Sequence, residues 1–329
     1  MKLQKLHIKN FKSIVDLEIV EPNPFTVFVG PNGSGKSNIF EALEFINFIS
    51  LFSGDENSKE VSDLFGGSES YLNRGQSGVN AYGHINFGPF NLRVDFKKLK
   101  KDIDEPEFYE EEEISDKIVV SLNRFHNFSR IFINSSKELK LNFQGDGKLN
   151  TKSSNLEKVL KRILQDEIKR EEILEILELL IPELENIQIY TDSISGQETL
   201  LIKEKHTNKH FGKSLISDGT CNILCLLTAL YQSDEPQFLC IEEPENGLNP
   251  YAIELLVELM RNRCQEKGHY IWLNTHSPTL VRNLRADELI VVDKKQGATQ
   301  IKQFKGKDFF GLRMDEAWLT NALGGGLPW

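Results

Sequence analysis

The chain has 329 residues, of which 27% are charged and 39% are apolar, and these proportions are ordinary for a globular protein. A net charge of −10 argues against a broad surface that coats nucleic acid, although a local basic patch is compatible with it. No apolar run reaches the ~18 residues that a membrane helix needs, and the N-terminus lacks the apolar core of a signal peptide. The sequence therefore predicts a soluble, cytoplasmic protein without a membrane partner.

The first half of the chain predicts short strands around one helix. Residues 3–8 and 15–20 alternate apolar and polar side chains as an antiparallel pair does, and residues 25–30 form an apolar run that ends on glycine. A helix is predicted from Lys36 to about Ser50, followed by a loop over residues 51–81. Residues 81–87, 90–96 and 117–125 are predicted to be strands of one antiparallel sheet, with a charged loop between the last two.

The second half alternates helices with strands, which favours a parallel α/β core. One charged helix is predicted over residues 155–180, and Asn249 and Pro250 supply the N-cap and first position of another that ends near Gly268. The other predicted elements are strands at 187–191, 199–205, 238–242 and 270–274, a helix at 219–231, and a closing hairpin of residues 288–294 and 299–304.

The stretch GPNGSGKSN, residues 30–38, matches the pattern G-x-x-x-x-G-K-[ST] of a phosphate-binding loop. Its glycines let backbone N–H groups wrap phosphate oxygens, its lysine bridges the β- and γ-phosphates, and its serine holds Mg²⁺. A strand precedes the match and a helix follows it, which is the context that the motif requires. The sequence therefore predicts that ATP is bound by Asn32, Gly33, Ser34, Gly35, Lys36, Ser37 and Asn38.

Three acids follow the apolar run Phe238–Ile241, where carboxylates repel one another and lose hydration. A bound Mg²⁺ offsets that repulsion, so the phosphate loop and the acids explain each other. We expect Glu242 to be a metal ligand together with Ser37, and Glu243 to act as the catalytic base that polarises water. Glu245 is expected to belong to the following turn.

Two further segments lie at the ends of predicted elements. LISDGT places Ser217 and Gly219 at the start of an apolar helix, where a hydroxyl and backbone donors can bind an anion supplied by another subunit. WLNTHSP places His276 just past a buried strand, within reach of a γ-phosphate. Taken singly, a helix cap at Ser217 and a core histidine at His276 are alternatives of similar weight.

In chain order, these motifs together resemble the ABC ATPase superfamily. With the opening LHIKNFKSI, IEEPENGLNP and NTHSP, the chain resembles the stand-alone ABC ATPases related to RecF, SMC heads and the OLD family, over residues 3–278. The resemblance implies that residues 30–38 are Walker A, Ser217 to Gly219 the signature, Glu242 and Glu243 Walker B, and His276 the switch histidine. It also implies a homodimer that sandwiches two ATPs, each signature completing the opposite site.

The resemblance implies an α/β ABC ATPase head with a mixed parallel core sheet, an antiparallel N-terminal β-subdomain and a short helical insertion. We predict one head over residues 1–329, comprising 1–150, 151–213 and 214–329. The chain departs from the family pattern at Glu242, where many relatives carry Asp, and Gln76 and Gln144 are both candidates for the Q-loop glutamine. The C-terminal aromatics Trp318 and Trp329 are expected either to dock a partner or to fold back onto the core.

Three functions follow from these expectations. The leading hypothesis is an ATP-hydrolysing dimer that gates a separate nuclease or toxin, plausibly in antiphage defence, because only 53 residues follow His276 and a Toprim nuclease domain needs ~100. The second is a RecF-like repair ATPase that binds DNA through Lys97, Lys98, Lys100 and Lys101. The third is a nearly inactive scaffold that binds ATP to hold partners.

Overall fold

The computed structural model describes residues 2–52, 62–63, 65–73, 80–88, 90–104, 123, 125–133, 147–309 and 311–327. Within these ranges the strands are β1 Lys5–Phe11, β2 Ile14–Val20, β3 Phe25–Val29, β4 Tyr82–Phe87, β5 Phe90–Asp95, β6 Lys100–Asp104, β7 Phe128–Phe132, β8 Leu184–Thr191, β9 Glu198–Glu204, β10 His210–Gly212, β11 Phe238–Glu242, β12 Tyr270–Thr275, β13 Leu289–Lys295 and β14 Ala298–Gln303. The helices are α1 Lys36–Phe52, α2 Ser68–Tyr71, α3 Leu156–Ile163, α4 Glu167–Leu180, α5 Asp218–Tyr231, α6 Pro250–Glu266, α7 Pro278–Arg282 and α8 Met314–Leu319.

A six-stranded sheet with the order β14-β13-β3-β12-β11-β7 forms the centre of the molecule. All neighbouring strands are parallel except β14, which pairs with β13 as the predicted antiparallel hairpin. Side chains alternate between the two faces of each strand, and both faces of β3, β11 and β12 are buried, which is why their sequences are continuous apolar runs. The predicted mixed parallel core is confirmed.

The two faces of this sheet support two hydrophobic clusters. One face, which includes Phe28, Cys240 and Trp272, packs against α1 and the antiparallel sheet β2-β1-β4-β5-β6. The other face, which includes Val27, Ile241 and Leu273, packs against the helices α3 to α7. Helix α1 therefore lies between the central sheet and the antiparallel one, and helix α5 lies on the opposite side.

The helical insertion differs from the prediction of one helix over residues 155–180. Helix α3 ends at Ile163 and α4 begins at Glu167, because the Asp166 carboxylate accepts from the backbone N–H groups of Ile168 and Lys169 as an N-cap. An N-cap of this kind satisfies donors that a continuous helix would bond internally, so it starts a new helix. Strands β8, β9 and β10 follow as a small antiparallel sheet, of which β10 was not predicted.

Two predictions in the first half of the chain need correction. Residues 100–104, assigned to a charged loop, form β6 and extend the antiparallel sheet by pairing with β5. Residues 117–122 of the strand predicted at 117–125 lie outside the described residues, and Asn123, Phe125 and His126 are helical. The next strand, β7, begins at Phe128 and belongs to the central sheet rather than to the antiparallel one.

The C-terminal segment folds back onto the core, which decides between the two expectations for Trp318. Its ring is fully buried and its indole Nε1 donates to the Gly326 carbonyl at 2.5 Å. The N–H of Gly326 donates to Asp293 Oδ1 at 2.8 Å, and a Cβ at Gly326 would lie 2.3 Å from Val291. The segment is therefore fixed against β13. Trp329 lies outside the described residues.

No helix in the described ranges combines the length and the apolar character needed to cross a bilayer.

Candidate functional site

The loop between β3 and α1 lies at the carboxyl edge of the central sheet. Its glycines are required by close contacts: a Cβ at Gly30 would lie 2.0 Å from the Val292 carbonyl oxygen, and a Cβ at Gly35 would lie 2.1 Å from Thr299 Oγ1. Thr299 also donates to the Ser34 carbonyl at 2.9 Å. The hairpin β13–β14 therefore packs against the loop and supports it, while Asn32 and Gly33 are exposed at the tip of the loop.

Lys36 is buried, with its ammonium inside the loop. Its Nζ donates to the carbonyls of Gly30 at 2.7 Å and Pro31 at 3.0 Å. Burial lowers the pKa of Lys36 to about 8, while the carboxylates of Glu242 and Glu243 act in the opposite direction. A buried cation that neutral carbonyls hold is poised for a stronger, anionic partner.

Ser37, Glu242 and Asn274 meet at the end of β11 and β12. The Ser37 hydroxyl donates to Glu242 Oε2 at 2.6 Å, and Asn274 Nδ2 donates to the same oxygen at 2.6 Å and to Ser37 Oγ at 3.1 Å. Glu242 and Asn274 are register partners on adjacent parallel strands, so their side chains project to one face. The predicted metal ligands Ser37 and Glu242 are thus in direct contact across 205 positions of sequence.

The other oxygen of Glu242 is held by Arg130, which was not predicted from the sequence. Arg130 Nε and Nη2 donate to Glu242 Oε1 at 3.2 and 2.7 Å, and its Nη1 donates to Glu44 on α1 at 3.0 Å. Although burial opposes it, the carboxylates of Glu242 and Glu44 raise the pKa of Arg130. Burial raises the pKa of Glu44 even with this partner.

Glu243 is exposed just beyond the strand and has an unusual backbone. Its φ of 52° lies in the left-handed region that few side chains adopt, and its N–H donates to the Asn274 carbonyl at 2.8 Å. Its carboxylate accepts from Asn246 Nδ2 at 3.1 Å. His276 is half-buried. Burial and the charge of Lys36 lower its pKa, and Glu243 acts in the opposite direction, so both charged groups interact electrostatically with the imidazole.

Glu245 lies in the turn, as expected, and it also reaches the strand that carries His276. Its Oε1 accepts from the Thr275 hydroxyl at 2.5 Å and from the His276 backbone N–H at 3.3 Å. Burial raises the pKa of Glu245. The third acid of the apolar-acidic stretch therefore links the turn after Walker B to the segment around His276.

Ser217 and Gly219 begin α5 at the same edge of the sheet. The Ser217 hydroxyl caps the helix by accepting from the Thr220 N–H at 3.1 Å. Gly219 packs on the turn after Walker B so closely that a Cβ would lie 2.4 Å from the Gly247 carbonyl oxygen. Asn222 Nδ2 donates to the Asn246 carbonyl at 2.6 Å and strengthens the contact. The start of α5, which carries exposed Ser217, therefore packs directly against the turn that follows Glu243.

The predicted residues thus divide into two groups. Lys36, Ser37, Glu242, Glu243 and His276 are linked by hydrogen bonds or electrostatic interactions, and the remaining loop residues flank them. Ser217 and Gly219 contact this group through the turn at residues 244–247. The two Q-loop candidates, residues 76 and 144, lie outside the described residues.

Four site residues were not predicted: Ser13, Arg130, Asn274 and Thr299. A signal exists for two of them. Arg130 is a cation inside the apolar strand FSRIF, and Asn274 is an amide in the buried strand YIWLNT, two positions before His276. In each case the signal is a polar side chain within a buried strand. Ser13 and Thr299 contact each other at 2.6 Å across 286 positions, and a local pattern contains no trace of that pairing.

The side chains around Ser37 fit a hydrated divalent cation beside a phosphate. Mg²⁺ prefers oxygen ligands, and here a hydroxyl and a carboxylate converge, with the Asn274 amide N–H groups hydrogen-bonded to both. Asn274 Oδ1 is buried there without a hydrogen-bond partner among the described residues, and so is the Ser34 hydroxyl in the loop. With Lys36 beside them, these groups have the charge and the unused polar atoms that a Mg²⁺–nucleotide requires.

Comparisons with known proteins agree with this geometry. Residues 25–282 match the family described as "AAA domain, putative AbiEii toxin, Type IV TA system". A 44-residue segment, 13% of this chain, is 54% identical to the chromosome partition protein Smc of Methanocaldococcus jannaschii and covers 4% of that protein. A 107-residue segment, 31% of the chain, is 28% identical to the DNA replication and repair protein RecF of Leptospira biflexa and covers 29% of it. The chain thus spans under a third of the length of these curated relatives.

Solved structures of SMC heads share the fold. The SMC head domain from Thermotoga maritima aligns with a TM-score of 0.51 at 18% identity, covering 92% of this chain and 99% of that one. An Smc head bound to the C-terminal winged-helix domain of ScpA aligns with a TM-score of 0.58 at 16% identity, covering 92% and 97%. An Smc head from Pyrococcus furiosus with an extended coiled coil, bound to the C-terminal domain of ScpA, gives 0.56 at 14%, covering 98% of both chains.

Proposed function

Because the chain belongs to this AAA-domain family and is an ABC-type ATPase of the RecF and SMC group, we propose that it hydrolyses ATP at two composite sites in a homodimer. The observation that carries this proposal is the contact of the Ser37 hydroxyl with the Glu242 carboxylate, with Lys36 buried beside them. A serine with a purely structural role would not require a buried lysine and a second acidic residue beside its hydroxyl.

In the proposed mechanism, the loop N–H groups and the Lys36 ammonium bind the β- and γ-phosphates of ATP. Ser37 and Glu242 would hold Mg²⁺, which when bound would supply positive charge that lowers the electrostatic barrier to phosphoryl transfer. Glu243, exposed and next to this cluster, accepts a proton from the attacking water. His276 donates a hydrogen bond to a γ-phosphate oxygen; burial and the charge of Lys36 lower the pKa of His276.

The signature residues act on the nucleotide of the other copy. Ser217 is exposed at the start of α5, where the hydroxyl and the helix N-terminus can bind an anion, and Gly219 permits the close contact with the turn after Walker B. Formation of the ATP-bound dimer is therefore coupled to the position of Glu243. This coupling makes the dimer a switch that responds to nucleotide.

We further propose that the switch gates a partner protein, a nuclease or toxin in trans, in antiphage defence. The family description, "putative AbiEii toxin, Type IV TA system", supports a role beside a partner protein in a toxin–antitoxin pair. The structures in which SMC heads are bound to ScpA domains support the use of such a head as a docking platform for a partner.

A second candidate is a DNA-binding repair ATPase, because exposed Lys97 and Lys98 lie on the turn between β5 and β6. Lys101, also predicted for this role, instead donates to the Ser50 carbonyl at 2.6 Å. Binding of labelled DNA that strengthens with ATP and weakens in Lys97→Glu/Lys98→Glu would favour this candidate.

Steady-state phosphate release from Mg-ATP tests the leading proposal. Glu243→Gln should lower turnover by about 100-fold or more, as the loss of a general base does. Glu235→Gln is a matched control, because Glu235 is exposed at the opposite end of β11 and should leave turnover unchanged. Nucleotide binding without turnover in the unmodified protein would instead favour the scaffold hypothesis.

A further inference from the structure

Arg130 occupies a position that a simple nucleotide site does not require. It is 5% exposed in the middle of β7, the edge strand of the central sheet. Its guanidinium makes a fork to Glu242 Oε1, an ion pair with Glu44 and a weaker contact of 3.4 Å with the Ser37 carbonyl. One side chain therefore joins three elements, β7, β11 and α1, at the point where the predicted metal ligands meet.

The sheet register explains how Arg130 reaches Glu242. Arg130 pairs with Cys240 on the neighbouring parallel strand, and Glu242 follows Cys240 by two positions, so both charged side chains project to the α1 face. The Arg130 guanidinium also lies 4.7 Å from the Phe132 ring centroid, which confines it. Because the planar guanidinium is itself held by several contacts, it restricts the Glu242 carboxylate to one orientation.

The two oxygens of Glu242 consequently have different tasks. Oε1 is occupied by Arg130, whereas Oε2 faces the Ser37 hydroxyl and Asn274 Nδ2. Oε2 is the oxygen that contacts Ser37, the other predicted metal ligand. One carboxylate thus bridges the guanidinium on β7 and the hydroxyl on α1.

We propose that Arg130 is a positioning residue that fixes the Glu242 carboxylate for Mg²⁺ binding and ties that orientation to the Walker A helix through Glu44. The proposal rests on the proposed function, since it assigns a role at the same site. Groups that orient metal ligands typically contribute 10- to 100-fold to metal affinity. A purely structural ion pair would contribute to folding and leave the metal dependence of nucleotide binding unchanged.

Arg130→Lys separates these roles, because it keeps the charge and loses the fork. The measurement is the affinity for a fluorescent, non-hydrolysable ATP analogue in excess Mg²⁺ and in EDTA, and the readout is the ratio of the two dissociation constants. Arg130→Lys should reduce the gain in affinity from Mg²⁺ by about 10-fold or more. Its affinity in EDTA should stay within about twofold of the unmodified protein, because Arg130 has no role in phosphate binding itself.

Arg261→Lys is the matched control. Arg261 also holds a buried carboxylate through Nε and Nη2, here one to each oxygen, with Nε 2.6 Å from Glu288 Oε1 and Nη2 2.9 Å from Oε2, at the other end of the central sheet. It should lower the thermal unfolding midpoint without changing the Mg²⁺ ratio. Combining Arg130→Lys with Glu242→Gln should reduce the ratio no further than Glu242→Gln alone, since one residue acts through the other.

The outcomes are separable. If the unmodified protein shows no nucleotide binding, the proposed function fails. If it binds with a clear gain from Mg²⁺ and Arg130→Lys keeps that gain or increases it, the positioning role is overturned while the proposed function stands. Should Arg130→Lys not fold, Glu44→Ala replaces it, because that change removes the acceptor that holds Nη1 of Arg130; a ratio equal to that of the unmodified protein would overturn the tie to the Walker A helix.

Discussion

The contact between Gly219 and Gly247 predicts a large effect from a single methyl group. Gly219 lies in the first turn of α5 and its φ is not in the left-handed region, so Gly219→Ala causes no backbone strain. The new Cβ would lie 2.4 Å from the Gly247 carbonyl oxygen, about 1 Å inside ordinary van der Waals contact. The turn is held at this distance by the hydrogen bond from Asn222 Nδ2 to the Asn246 carbonyl. Helix α5 and the turn after Walker B must therefore separate.

The magnitude follows from two opposing terms. Overpacking costs about 1–3 kcal/mol, and alanine in a helix regains about 1 kcal/mol over glycine, so the free energy of unfolding should fall by at most about 2 kcal/mol. The effect on association should be larger than this stability change suggests, because Ser217 is displaced from the opposite nucleotide. In a Glu243→Gln background, ATP-dependent dimerisation should weaken at least about tenfold, or ~1.4 kcal/mol, while ATP binding to the monomer persists.

Urea unfolding and sedimentation velocity with and without Mg-ATP give both quantities. Gly212→Ala is the control, because a Cβ there meets open space and the change should affect neither measurement. Unaltered dimerisation of Gly219→Ala, together with unaltered stability, would refute the idea that this contact couples the signature to the Walker B segment.

Three further changes have defined outcomes. Between pH 7 and pH 9 the affinity for ATP should fall about tenfold in fluorescence titrations. The Lys36 ammonium, which binds phosphate, predominates below its pKa of about 8 and is lost above it. Lys36→Arg should remove this pH dependence, because the guanidinium stays charged. Glu245→Ala frees Thr275 and the His276 backbone and should lower turnover by about tenfold with little change in ATP affinity, whereas equal losses in both would contradict a role confined to orienting His276. Trp318→Ala should cost about 3–5 kcal/mol in urea unfolding, and a loss under 1 kcal/mol would show that the C-terminal segment is not part of the core.

The sequence predicts the parts of the site that depend on local geometry. Backbone N–H groups, a lysine and a serine at fixed spacing form a phosphate loop wherever a strand precedes them and a helix follows, and the structure has β3 and α1 in those places. The N-cap role of Asn249 is likewise local, and its side chain accepts from the Ala252 N–H at 2.9 Å.

The parts that were missed depend on strand pairing or on a helix cap, neither of which the apolar pattern reveals. Arg130 reaches Glu242 only because β7 pairs with β11, and a polar residue in an apolar run gives no indication of which strand lies beside it. The charged segment at 100–104 became a strand because β5 offered an edge, so tertiary pairing overrode its weak strand propensity. The break between α3 and α4 depends on a short-range cap, and the Asp166 N-cap was the available signal for it.

The central claim is that nucleotide joins two copies of the chain through composite sites. Light scattering on Glu243→Gln protein, with and without Mg-ATP, tests it directly, because blocked hydrolysis should trap the bound state. We expect the solution mass to double with Mg-ATP, and this doubling to be lost in Glu243→Gln/Ser217→Arg, where a bulky cation occupies the exposed start of α5. A mass that stays monomeric while ATP is demonstrably bound would contradict the account.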